Sequence, residues 1–160
     1  MMMTKINSIL DEIEKVDIEM YEHLERTALL SFALAKAIKL GPKEMEKAYF
    51  AGLIHDVGIL ESTKENINEM AFYGNMMLKF VDGFEDIAEA IKYQHNYSLL
   101  DEGKFSYLLA QIIAISNNYD ELRTLKGFSH MTAKTVLNSN GFNEHLVEKF
   151  IEIVELENLI

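Results

Sequence analysis

The chain has 160 residues, 49% of them hydrophobic and 26% charged, the make-up of a soluble globule long enough to bury a core without covalent help. It contains no cysteine, which excludes disulfide frameworks, thiolate metal sites and cysteine nucleophiles; any transition-metal site must use His, carboxylate and amide ligands. With 26 acidic against 15 basic residues the formal charge is -11, which argues against binding the phosphate backbone of nucleic acid. A small anionic substrate stays open if a metal inverts the local field.

Met1 to Ile6 is followed closely by Asp11, Glu12 and Glu14, so the start lacks the apolar core and cleavage site of a signal peptide. No apolar stretch approaches the length of a membrane span, and a cytoplasmic protein without a membrane partner is expected. Ile6, Ile9, Leu10 and Ile13 predict an N-terminal helix over about 4–15, whose apolar face could serve the core or a twofold partner. Asp17 caps a longer helix carrying Met20, His23, Leu24, Ala28, Leu34, Ala35 and Ile38, which stops at Gly41-Pro42. Pro42 opens a third helix, with Glu44 and Glu46 at its positive end, running through Ala48, Ala51 and Leu53 to His55-Asp56, with Gly58 as the exit.

Residues 66–81 predict a Met-rich helix closed by Asp82-Gly83, and 84–95 another that carries His95, before a loop over 96–103. Residues 105–122 form the most apolar segment, expected to be a central buried helix interrupted late by Asn117 and Asn118. Ser129 caps a short helix to Leu137, and Asn143 caps one from Glu144 through Val154. There is one proline and no internal repeat or linker. The expectation is an all-α fold: one domain over 1–160, built as a compact bundle of seven or eight helices.

Chemistry is expected first at Ala51-Gly52-Leu53-Ile54-His55-Asp56-Val57-Gly58. An ionisable pair that follows an apolar run into a core must be hydrogen-bonded, charge-paired or metal-bound to offset its desolvation. Of the five histidines, His130 and His145 sit beside helix caps and read as solvent-facing, while His23, His55 and His95 lie on helices that supply core residues. Three imidazoles and a carboxylate make a ligand set suited to divalent Zn, Mn or Fe, although spacing alone leaves their convergence undecided.

The order His23, Leu40-Gly41, Ala51 to Gly58, His95, then Ile112-Ile113-Ala114-Ile115-Ser116-Asn117-Asn118-Tyr119-Asp120, resembles the HD superfamily of metal-dependent phosphohydrolases. Within it the chain looks most like the HD-GYP branch, which hydrolyses cyclic di-GMP, and Gly141 to Phe150 is similar to that branch's final helix. The resemblance implies an HD-type helical core over about 17–157, binding a divalent ion (Mn, Fe, Zn or Ni) that lowers the pKa of a water and polarises a phosphoryl oxygen. It implies His23, His55 and Asp56 as metal ligands, the last two also catalytic, with Asn117 a weak fourth ligand and His95 on a second ion.

Departures are equally specific. The family has aspartate at Asn117, histidines at Met70 and Gln94, and a phosphate-neutralising lysine at Ile59; the Gly-Tyr-Pro loop is missing from 95–103. Glu19 matches a ligand found only in members with a third metal, and reads otherwise as a solvated helical side chain. Two functions follow from the resemblance. One is a phosphohydrolase with a reduced metal site acting on a small phosphorylated or nucleotide-like ligand; the other is an inactive binding or regulatory module in which His55 and Asp56 persist as a hydrogen-bonded pair.

Overall fold

The computed structural model describes residues 2–157, so residue 1 and residues 158–160, the outer ends of the expected 1–160 domain, lie outside the described residues. The described residues form eight α-helices and no strand: α1 (Met2–Val16), α2 (Ile18–Ala37), α3 (Pro42–Ile54), α4 (Ile67–Leu78), α5 (Glu85–Lys92), α6 (Phe105–Asp120), α7 (His130–Ser139) and α8 (Glu144–Leu156). The all-α expectation is met. None of these helices is long and apolar enough to cross a membrane.

Helix starts follow from side chains that satisfy otherwise orphaned backbone N–H groups. The Asp17 carboxylate accepts from the Met20 N–H at 3.0 Å, the Asn66 amide oxygen from Glu69 at 3.0 Å, the Ser129 hydroxyl from Thr132 at 3.2 Å and the Asn143 amide oxygen from Leu146 at 3.2 Å. At α3 the Glu44 carboxylate reaches back to the Gly41 N–H at 2.8 Å, ahead of Pro42. Each such cap is worth about 1 kcal/mol.

α6 is the hub: it packs against α2, α3, α5, α7 and α8, and its Leu109, Ile112, Ile113 and Ile115 are fully buried. α1 lays Ile6, Ile9, Leu10 and Ile13 on the core beside α2, so these side chains are part of the bundle.

Two glycines allow the backbone approaches that assemble the site. A Cβ at Gly52 would stand 2.8 Å from both the Ala28 Cα and the Thr27 carbonyl oxygen, so α2 and α3 touch backbone to backbone. Gly58 lies in a short 3-10 turn over Val57–Leu60, pressed against α4.

Two local expectations are corrected. Helix α5 ends at Lys92, not at His95, and His95 falls in the following turn; the Gln94 amide caps the exit by donating to the carbonyls of Ile91 at 3.1 Å and His55 at 2.9 Å. Asn117 and Asn118 do not interrupt α6. The Asn118 amide bonds back to the Ala114 carbonyl at 2.8 Å, Asn117 turns to the histidines, and regular helix persists to Asp120 before a π turn over Glu121–Leu125.

Candidate metal centre

His23 comes from α2, His55 caps the C-terminal end of α3, Asp56 follows it, and Asn117 and Asp120 stand on the last turn of α6. All five are buried, and the His23 and His55 rings meet edge to face with centroids 5.2 Å apart. Three helices therefore deliver polar groups to one interior point, which the linear order of His23, His55 and Asn117 left open.

The outward-facing nitrogens decide what that point can hold. His23 Nδ1–H donates to Asp120 Oδ2 at 2.6 Å, and His55 Nδ1–H donates to the Gly52 carbonyl at 2.7 Å. With both Nδ1 positions committed as donors, Nε2 is the remaining site on each ring for a proton or a metal. Those two nitrogens face the same Asn117 Oδ1, at 2.8 Å from His23 and 3.0 Å from His55. Asp56 Oδ2 lies 3.9 Å from His23 Nε2 and 3.1 Å from His55 Nε2. One ligand atom each from His23, His55 and Asp56 falls within 4.8 Å of the others.

Four electron-rich atoms around one buried point require a cation, either protons or a metal. In the metal-free chain a proton on His55 fills that role. Burial by itself lowers the pKa of His55, but the Asp56 carboxylate and the acceptors at Gly52 and Asn117 outweigh it and raise the pKa to about 9. Burial pushes Asp56 up, and the His55 charge and hydrogen bond override it, holding the carboxylate below its usual range. A divalent ion fits this set of two imidazoles and a carboxylate, and would take the place of that proton.

Asp120 was not singled out by sequence reasoning, although its place one turn after Asn117 put it within reach. It is 4% exposed, and Arg26 binds it through Nε at 2.7 Å and Nη2 at 3.1 Å. Burial raises its pKa, but His23 and Arg26 reverse this, so the carboxylate stays ionised and holds the His23 tautomer. Asp120→Asn can leave the His23 ring in the wrong tautomer. Titration with Mn(II) should then show about ten- to hundredfold weaker binding in this variant; affinity equal to the unaltered chain would mean that Asp120 does not orient the ligand.

A cavity of about 320 Å³ opens on this point, walled among others by Glu19, His23, Asp56, Lys64, His95 and Glu121. His95 is half-buried on that wall and stands outside the close donor group; burial lowers its pKa, with Asp56 opposing, which favours a neutral imidazole. Met70 and Gln94, where the resemblance leads one to expect histidines, are buried, and Ile59 packs on the core. Glu19 is exposed at the cavity mouth. Lys64 and Glu121, neither anticipated, also reach the cavity; burial raises the Glu121 pKa, His23 and His55 lower it, and Asp56 raises it further.

The two remaining histidines differ. His145 is exposed as expected. His130 is not solvent-facing: its Nδ1 meets the buried Tyr119 hydroxyl at 3.0 Å and its Nε2 the Glu155 carboxylate at 2.9 Å, because α7 and α8 pack against each other there.

A family model described as HD domain matches residues 20–122, the span from the start of α2 through α6. The chain belongs to the HD domain family. Comparison with curated proteins and with solved structures found no match. In this HD domain the matched span contains His23, His55, Asp56, Asn117 and Asp120 together, while α7 and α8 lie beyond it and close the bundle.

Proposed function

We propose that this HD domain, read as one unit over the whole chain, is a divalent-metal-dependent phosphohydrolase for a small nucleotide-like phosphoester. The observation that carries this reading is the convergence of His23 Nε2, His55 Nε2 and Asp56 Oδ2, with both Nδ1 atoms already committed to Asp120 and Gly52. A divalent ion held there supplies Lewis acidity toward a phosphoryl oxygen and lowers the pKa of a nearby water. His23 and His55 would hold it through Nε2, Asp56 would contribute charge, and Asn117 would offer a neutral oxygen as the fourth donor.

The substrate phosphate needs a positive partner that Ile59 does not provide. Lys64 fills that need from the same cavity wall; its half-exposed ammonium is 2.6 Å from Asp17 Oδ2 and would exchange that partner for the anion. Met70 gives the cavity a buried apolar wall, with Ile67 and Leu125 at its exposed side. His95 borders both this cavity and a second one of about 510 Å³ lined by Asn96, Tyr97, Asn118, Asn140 and Phe142. Amides beside aromatic rings suit the neutral part of a nucleotide.

Ancestry within the HD-GYP-like branch is part of this proposal, but its cyclic di-GMP activity is not, since the segment after His95 is a short 3-10 turn over Tyr97–Leu99. A panel of nucleoside monophosphates, p-nitrophenyl phosphate, bis(p-nitrophenyl) phosphate and cyclic di-GMP, each with Mn(II), Zn(II), Fe(II) or Ni(II), tests the reading. Turnover of the small esters above the His55→Ala background is expected, with none of cyclic di-GMP. Absence of turnover with every ion, alongside intact metal binding, would favour the second reading: a binding or regulatory module, in which the neutral Asn117 and the buried Met70 leave a cation held without chemistry.

A further inference from the structure

Glu121 is the first residue after α6 and opens the π turn over Glu121–Leu125. It stands one helical turn beyond Asn117. π turns are uncommon and recur at functional sites because the extra residue re-aims a side chain. Here the Glu121 side chain lines the 320 Å³ cavity with His23, Asp56 and His95, and also a smaller one of about 150 Å³ with Gln94, His95, Asn117 and Asn118.

Asn117 spends its amide oxygen on the two imidazoles, Oδ1 meeting both Nε2 atoms, which leaves its NH2 group to face away from them. Burial raises the Glu121 pKa, and the Asn117 amide beside its carboxyl is among the groups that oppose that shift. No Lys or Arg forms an ion pair with that carboxylate among the described residues. A half-buried carboxylate turned into a cavity that ends at two imidazoles is stabilised by positive charge there, a protonated His55 in the metal-free chain or a cation in its place. The Gln94 amide oxygen is a buried acceptor without a partner among the described residues, on the wall of the smaller cavity.

We propose that Glu121 supplies the negative charge that Asn117 lacks, acting as an outer carboxylate that faces the cation held by His23, His55 and Asp56 and raises the affinity for it. It stands outside the group of donors that lie within 4.8 Å of one another, so it acts through the Asn117 amide and across the cavity rather than as a direct ligand. It is a positioning residue. Amide and acid share the work of a single aspartate, one providing the oxygen and the other the charge. This rests on the metal-centre reading above and extends it to a residue outside the pattern that carries the resemblance.

The test is calorimetric titration of the whole chain with Mn(II) at pH 8, for the unaltered protein, Glu121→Gln, Glu121→Asp, Asn117→Asp and the double variant Asn117→Asp/Glu121→Gln, with thermal melting of each metal-free protein as the structural control. Glu121→Gln should bind about ten- to hundredfold more weakly at an unchanged melting temperature, the range typical of groups that support a metal's ligands. Glu121→Asp should keep most of the affinity, and adding Asn117→Asp to Glu121→Gln should restore it. Glu121→Gln within twofold of the unaltered chain, or Glu121→Asp as weak as Glu121→Gln, would overturn the role of Glu121 while leaving the metal centre standing. An unaltered chain that takes up no Mn(II) would remove the metal centre, and the role of Glu121 with it.

Discussion

Protein purified without chelator is expected to carry about one equivalent of divalent metal, and His55→Ala and Asp56→Ala to carry none. Elemental analysis of the three proteins checks this, with circular dichroism to show that the variants remain helical. The effect is large because each substitution removes one of three convergent donors and also breaks the charge balance at a buried point. His55 is fully buried, so the alanine leaves Asp56 without the imidazole 3.1 Å away that keeps it ionised. Equal metal content in all three proteins would place the ion elsewhere.

The same exchange of protons for metal predicts a pH dependence. In the metal-free chain His55 keeps its proton up to about pH 9, so an incoming ion must displace it. Apparent affinity should therefore climb by up to about tenfold per pH unit from neutrality and level off near the His55 pKa. Stability of the metal-free form should move the other way. His55 is raised above its ordinary value of 6.5, so its contribution is complete below that pH and is lost as pH rises through about 9. Melting temperature of the chelated protein across pH 6.5–10 reads this; a flat profile would mean that His55 is not held cationic.

Gly58→Ala is expected to be the most disruptive single methyl group in the chain. The new Cβ would sit 1.9 Å from the Met70 carbonyl oxygen and 2.8 Å from its carbon, with the Gly74 nitrogen at 2.9 Å. These are backbone atoms of α4 and cannot rotate aside. The turn that follows His55-Asp56 must then lift away from α4, opening the wall formed by Met70. Overpacking of this kind costs about 3 kcal/mol or more, and the melting temperature should fall by roughly 6–12 °C for a chain of this size. A loss of metal affinity is expected alongside. Gly74→Ala is the comparison, since its Cβ would meet mainly the Ile91 side chain at 3.2 Å, a flexible group that can give way. Equal melting temperatures for the two variants would show that the approach at Gly58 is not a tight one.

Much of the fold was legible because it is written in local chemistry. Asp17, Ser129 and Asn143 cap the helices they precede, Gly41-Pro42 separates α2 from α3, and the dense apolar run over 105–115 marks α6 as the hub. Each signal acts over a few residues, so sequence order is enough to read it. Where expectation failed, a distant partner had intervened. Gln94 ends α5 by reaching the His55 carbonyl, and Asn117 keeps its helical backbone because its side chain finds His23 and His55 in the core.

The site divides along the same line. The residue types, and the adjacency of His55 to Asp56, are properties of the sequence; the resemblance they carry implied His23, His55, Asp56 and Asn117 as ligands, and the family is the one matched over residues 20–122. Asp120, Lys64 and Glu121 were passed over because an acid near a helix end, or a lysine in a loop, is by its sequence only a solvated charge. Their roles depend on what faces them: Arg26 and His23 for Asp120, and the cavity for Lys64 and Glu121. Sequence by itself determined which donors this chain owns and which the wider family pattern lacks here. Only the tertiary structure decided that two imidazoles present their Nε2 atoms to one point, because direction and distance between α2, α3 and α6 are set by the backbone contact at Gly52 and the packing of the core, and neither is a property of any local stretch.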